Sequence, residues 1–155
     1  MLKRFLISFA ASVLLLSSAS ILSAADWPMW RAGAGRTAVT AEELPANLTP
    51  AWTRQYTERQ TVWDDPLNQD LMPYDMVFEP VVGGGRMYVG FNDSDKLVAL
   101  DADTGEELWR SYAGGPLRLP PVYWNETVFF VSDDGFIRCL DAVNGNLRWK
   151  FRGAP

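Results

Sequence analysis

Ala99-Leu100-Asp101-Ala102-Asp103-Thr104-Gly105-Glu106-Glu107-Leu108-Trp109 recurs further along the chain as Cys139-Leu140-Asp141-Ala142-Val143-Asn144-Gly145-Asn146-Leu147-Arg148-Trp149. Asp101 and Asp141, Ala102 and Ala142, Gly105 and Gly145, and Trp109 and Trp149 match without a gap. A fixed period of about 40 residues marks a repeat architecture. Each copy reads as strand, tight turn, strand. Leu97 to Leu100 is an apolar, strand-prone run. Asp101 can accept a hydrogen bond from a backbone N–H ahead of it, and Thr104-Gly105 supplies a turn in which glycine tolerates positive φ. A single copy would be a generic hairpin. Two copies in register make it a repeated structural unit.

The pattern Ala99-x-Asp101-x-x-Thr104-Gly105-x-x-x-Trp109 resembles the tryptophan-docking motif of quinoprotein-type β-propellers, the PQQ-like repeats. The second copy departs from it by Cys139 for Ala and Asn144 for Thr, both small replacements. The resemblance implies blades of four antiparallel strands, with the motif on the third and fourth strands and its Trp packed between adjacent blades. The expected fold is therefore all-β: two four-stranded antiparallel blades of a PQQ-like β-propeller, an incomplete ring.

Residues 78–82, 86–91, 96–100 and 107–112 read as the strands of a first blade within 77–115. Residues 121–124, 127–132, 136–140 and 147–151 read as those of a second within 116–155. Gly83-Gly84-Gly85, Asn92-Asp93-Ser94-Asp95 and Ser132-Asp133-Asp134-Gly135 punctuate them as turns. Asp133-Asp134-Gly135 is weighed as a hairpin turn over a metal loop. Val128-Phe129-Phe130-Val131 is apolar at consecutive positions, so both sheet faces call for burial, as between neighbouring blades and unlike a one-sided sheet. WD40 repeats need a histidine, which this chain lacks, and kelch repeats have a period nearer 50 residues.

Before the repeats, residues 1–25 resemble a secretory leader. Lys3 and Arg4 precede an apolar run from Phe5, and Ser23-Ala24-Ala25 places small residues before a cut at Asp26. An uncleaved anchor is the alternative, because the run approaches spanning length; cleavage leaves no stable membrane span. Residues 26–56 form an N-terminal segment in which 51–56, with Trp52 placed like a motif Trp, is the candidate ring-closing strand. Trp27 and Trp30 either cap and pack or stand exposed to stack on a sugar ring. Residues 57–76 read as an irregular loop, unusually long for a compact domain. Its Asp64-Asp65 pair could ligate Ca²⁺ but lacks further ligands at a recognisable spacing.

The chain of 155 residues is 48% hydrophobic, with 14 basic and 19 acidic side chains and a net charge of −5. Loss of Lys3 and Arg4 with the leader makes it more acidic still, which argues against nucleic acid and anionic membrane as partners. With no histidine and Cys139 as the lone cysteine, Ser-His-Asp triads, Cys-His pairs and internal disulfides are excluded within this segment. Cys139 takes the place of Ala99, so it reads as a small buried residue rather than a reactive thiol.

Propellers have roughly four to eight blades, so two blades and a loose strand read as the N-terminal part of a longer propeller, with C-terminal blades implied. Two functions follow from the resemblance. The first is a periplasmic or secreted, non-catalytic binding scaffold with a protein partner, similar to the propeller subunit of outer-membrane barrel assembly, though without that subunit's lipid-anchor cysteine. The second is part of a dehydrogenase that holds pyrroloquinoline quinone and Ca²⁺. No Asp or Glu matches the base or calcium ligands of such enzymes, and no Cys-Cys pair occurs. The scaffold is favoured, with no catalytic, cofactor or metal residues expected in this segment.

Overall fold

The computed structural model describes residues 25–56 and 78–153. The leader, apart from its last residue, and the whole 57–76 loop with Asp64-Asp65 lie outside the described residues. Eight strands follow one another: β1 (Val81–Gly83), β2 (Arg86–Phe91), β3 (Lys96–Asp101), β4 (Glu107–Tyr112), β5 (Val122–Trp124), β6 (Thr127–Val131), β7 (Phe136–Asp141) and β8 (Leu147–Arg152). They form two antiparallel sheets, ordered β1-β2-β3-β4 and β5-β6-β7-β8. Each is a meander because every connection is a short turn, and a short turn can only bring the chain back antiparallel.

The start of each blade's first strand moves, for one reason, and other strand ends shift by a single residue. The first strand of each blade was expected from 78 and 121, but pairing begins at Val81 and Val122. Pro80 and Pro121 stand just before these points and have no N–H to give to a ladder. Residues 51–56 were expected to close the ring on a last blade, which these two sheets do not include. That segment carries no strand pairing among the described residues and is held by side chains instead.

The two sheets share an internal irregularity. Ala99 faces Trp109 and Leu100 faces Glu107, so Leu108 is an extra residue on β4. Cys139 faces Trp149 and Leu140 faces Leu147, so Arg148 is extra on β8. A bulge bends a strand and re-aims its side chains. Here it falls just after the Asp turn and precedes the Trp, so the bulge and the sequence motif are one structural device.

Between the sheets, Val81, Tyr88, Leu97 and Ala99 of blade 1 pack with Val128, Phe130, Leu140 and Ala142 of blade 2. Leu117, from the connection between the blades, seals this core. The opposite face of blade 1 holds Val89, Phe91, Val98 and Leu100, partly covered by Trp52 and Met87. Both faces are buried, as the unbroken apolar runs require. The N-terminal segment crosses the inner edge. Trp27 makes a two-bond antiparallel bridge with Val82, at 2.8 and 2.9 Å, and Tyr123 N–H donates to Pro28 O at 2.7 Å. One short segment thereby ties β1 to β5. No helix among the described residues is long and apolar enough to cross a membrane.

Candidate functional site

The repeated turns are built by their aspartates. Asp101 Oδ1 accepts from Asp103 N at 3.0 Å, Thr104 N at 2.8 Å and Thr104 Oγ1 at 3.0 Å. Gly105 N closes the turn on Asp101 O at 2.9 Å, with Gly105 at φ 72°. Glu106 N donates to Thr104 Oγ1 at 3.2 Å. These donors, first of all those of Thr104, hold the Asp101 carboxyl below the usual carboxylate range.

The second turn reproduces this with different side chains. Asp141 Oδ1 accepts from Val143 N at 3.0 Å and Asn144 N at 3.2 Å. Asn144 Oδ1 takes the bond from Asn146 N at 2.9 Å that Thr104 Oγ1 takes in the first copy. Asn144 does not supply the hydroxyl bond to the aspartate. Arg148 Nη2 supplies a donor instead, 2.7 Å from Asp141 Oδ2, and is the leading cause of the lowered Asp141 pKa.

The motif glycines and tryptophans meet across elements. Trp109 Nε1 donates to Ala142 O at 3.1 Å, and its ring lies where a Cβ on Gly145 would stand 2.7 Å away. Trp52 Nε1 donates to Ala102 O at 3.0 Å, and its ring lies 2.5 Å from the corresponding point on Gly105. Two turns therefore each receive one indole, flat on the glycine and hydrogen-bonded to the carbonyl three residues before it. Arg54 reinforces the first joint by donating to Gly105 O and pairing with Glu107, both at 3.0 Å. Trp149 meets no such turn among the described residues. It is 47% exposed and tilts against Phe129, 5.9 Å between ring centres.

Sequence reasoning read Asp133-Asp134-Gly135 as a turn and missed what it holds. Asp134 accepts from Ser132 Oγ at 2.5 Å, Phe136 N at 3.1 Å and Gly114 N at 2.9 Å, and forms an ion pair with Arg138. Arg138 is buried and lies over the rings of Phe130 and Phe136. Arg138 is the leading cause that drives the Asp134 carboxyl far below its usual range. Asp133 N donates to Pro116 O at 3.0 Å, and Arg118 Nε lies 2.6 Å from Asp133 Oδ2. This turn clamps the connection between the blades. The only signal available in the sequence was the spacing of Asp134 and Arg138, which across a hairpin becomes a contact only once the register is known.

Cys139 is buried, and burial pushes its thiol pKa up, the reverse of what a nucleophile needs. Among the described residues no three His, Cys, Asp or Glu side chains gather as a metal site. An open groove of about 300 Å³ is lined by Trp27, Trp30, Arg31, Ala38, Phe78, Glu79, Pro80 and Pro120.

Comparison with known proteins adds the following. A family model described as "Outer membrane protein assembly factor BamB" matches residues 50–155, more than half of the chain. The dehydrogenase subunit of a quinone alcohol dehydrogenase from Gluconobacter oxydans is 34% identical over 87 residues, covering 49% of this chain and 11% of the relative. Among solved structures, BamB from Moraxella catarrhalis aligns at 29% identity and a TM-score of 0.41, over 44% of this chain and 21% of that one. The quinohemoprotein alcohol dehydrogenase ADHIIG from Pseudomonas putida aligns at 23% identity and a TM-score of 0.43, over 48% and 12%. The chain thus spans about a ninth of its curated relative and about a fifth of that BamB. With two meander sheets, each carrying the same bulged Asp-Gly-Trp unit, and with the matched family model, the chain belongs to the PQQ-like β-propeller repeat family.

Proposed function

We propose that this chain is part of a non-catalytic propeller scaffold that binds a protein partner in the periplasm or outside the cell. The observation that carries this reading is the use made of the repeated polar residues. Asp101 and Asp141 spend their carboxylates on their own turns, and Asp134 on Arg138 and the connection between blades. These groups build and lock blades. Calcium ligands need several oxygens converging on one point, and among the described residues no three carboxylates do so, so no step through pyrroloquinoline quinone with Ca²⁺ is derived. The match to the BamB family model supports the same reading. The resemblance also brings further blades into the proposal, completing a ring around these two.

A second reading has its own observation. The 34% identity to a quinone alcohol dehydrogenase subunit supports a place in an enzyme whose quinone site is built by other blades. Titrating the quinone with Ca²⁺ into the propeller completed by its remaining blades, while following tryptophan fluorescence, separates the two. The scaffold reading expects no saturable change; saturable quenching at micromolar quinone overturns it. The location is tested separately by N-terminal sequencing of the periplasmic fraction, with Asp26 expected first. An intact Met1 in the membrane fraction supports an anchor instead.

A further inference from the structure

The arginines of this chain are not all partnered alike. Arg54, Arg110, Arg118, Arg138 and Arg148 each hold a carboxylate. Arg31 and Arg36 hold none among the described residues, although the chain carries 19 acidic side chains against 14 basic ones. Both guanidinium groups instead lie against one indole, that of Trp30, at 5.6 and 5.4 Å from the ring centre. Trp30 itself is 42% exposed.

The backbone that places them is strained. Arg31, Ala32, Arg36 and Ala38 have φ of 58°, 73°, 51° and 54°, a region that non-glycine residues seldom adopt. Ala32 N to Met29 O, Arg36 N to Gly33 O and Ala38 N to Arg31 O hold the loop at 3.0, 2.8 and 3.1 Å. Trp27, on the other side, is anchored to β1 by its two-bond bridge. Strain kept in place by surrounding structure gathers at ligand clamps. Here it turns two cations onto one exposed ring, and that ring and Arg31 line the 300 Å³ groove while Arg36 reaches it through Trp30.

The geometry points to this groove as the docking site for an extended partner segment in which an apolar or aromatic side chain is flanked by carboxylates. The side chain enters between Trp27, Phe78 and Pro120, and the carboxylates take Arg31 and Arg36. Glu79, the acid in the lining, accepts a backbone N–H of the segment. A peptide is favoured over an anionic sugar because Phe78, Pro80 and Pro120 offer the sugar hydroxyls no partner, and an unpaired buried hydroxyl is costly. A carboxylate suits the open cations because a planar guanidinium pairs with it bidentately and keeps its stacking on the ring. This inference rests on the scaffold reading for the class of partner, a protein.

The test uses the full chain and three probes: a capped Asp-Phe-Glu-Asp peptide, its uncharged Asn-Phe-Gln-Asn counterpart, and a trigalacturonate. Binding is read by calorimetry at low and high salt. The acidic peptide is expected to bind saturably and to weaken as salt screens the pairs. Arg31→Gln with Arg36→Gln is expected to lose about fivefold or more in affinity, as two partly exposed pairs should. A cooperative urea transition with a midpoint close to the parent's confirms that this variant is folded, since among the described residues the two side chains contact only the Trp30 ring. Equal binding of the uncharged peptide, or undiminished binding by the variant, overturns the role of the guanidinium groups. Tighter binding of the trigalacturonate overturns the peptide assignment, and no binding by any probe overturns the site. The quinone titration is a separate readout, so failure here leaves the scaffold reading standing.

Discussion

Tyr88, Leu97 and Ala99 of blade 1 have no exposed surface, whereas their counterparts in blade 2 divide. Ile137, in the place of Leu97, is 36% exposed, while Cys139, in the place of Ala99, is 2% exposed. The registers establish the equivalence: Tyr88 faces Ala99 and Phe129 faces Cys139. Blade 2 covers the first face; no blade among the described residues covers the second. Within blade 2 the aromatics Phe129 and Trp149, 5.9 Å apart, lie on the same face as Cys139. A small residue is thus sheltered by its own sheet, and large residues depend on the neighbour. Burial at a motif position is set locally for the alanine or cysteine and by assembly for the tryptophan.

The largest effects should come from breaking that asymmetry. Trp109→Ala and Tyr88→Ala each remove a ring from between the blades and should cost about 3–5 kcal/mol. Trp149→Ala and Phe129→Ala should cost distinctly less. Paired urea melts measure the difference, and equal costs would argue against packing between blades as the main role of Trp109.

Next in size is the ion pair present in blade 2 alone. Counting along β3 and β7, blade 1 has Ser94 and Val98 where blade 2 has Asp134 and Arg138. Removing one partner of a largely buried pair strands the other and typically costs about 3–5 kcal/mol. Asp134→Asn should fall at or below the low end of that range, since its amide still accepts hydrogen bonds. The double change Asp134→Ser with Arg138→Val, which copies blade 1, should recover a good part of the loss in urea melts. A double variant no better than the single one would show that the pair does more than hold the turn.

The same pair sets a pH dependence. The folded Asp134 carboxyl is held below its unfolded value. Its contribution is therefore fully present above about pH 4, the unfolded range, and is lost as the pH falls towards the folded value. The urea midpoint of the parent should drop on acidification, and that of Asp134→Asn should drop less, the difference isolating this group from Asp101 and Asp141.

A sharper probe of the joints is Gly145→Ala against Gly105→Ala. Both glycines have positive φ, and both new methyl groups would meet an indole. Each backbone cost is about 1 kcal/mol. Gly145→Ala should cost more, because Trp109 belongs to a paired strand while Trp52 lies on an unpaired segment that can shift. Comparing thermal midpoints checks this. The smallest effect expected is from Asn144→Thr, which should restore the hydroxyl bond to Asp141 and stabilise by about 0.5–1 kcal/mol. A loss instead would show that Asn144 and Arg148 are matched to each other.

How much of this was legible beforehand follows the range of each interaction. The apolar runs, the Asp and Gly turns and the 40-residue spacing are local, so all eight strands and their order could be read from the residues. The late starts of β1 and β5 were local too, written in Pro80 and Pro121, and were overlooked. The pairing of residues 51–56 could not be read locally, because a strand exists only with a partner and Trp52 alone does not name one. The contact of Asp134 with Arg138 and with Gly114 required the hairpin register and the path of the connection. The gathering of Arg31 and Arg36 on Trp30 required left-handed turns that no residue type there announces.

By itself, then, the sequence determined the repeated unit, because its period and turn chemistry act within a few residues along the chain. The tertiary structure decided which of two equivalent tryptophans is covered, where residue 52 docks, and which cations go without a carboxylate. Those depend on surfaces brought together from distant parts of the chain, and no local preference encodes a partner that lies 33 residues away, as Ala142 lies from Trp109.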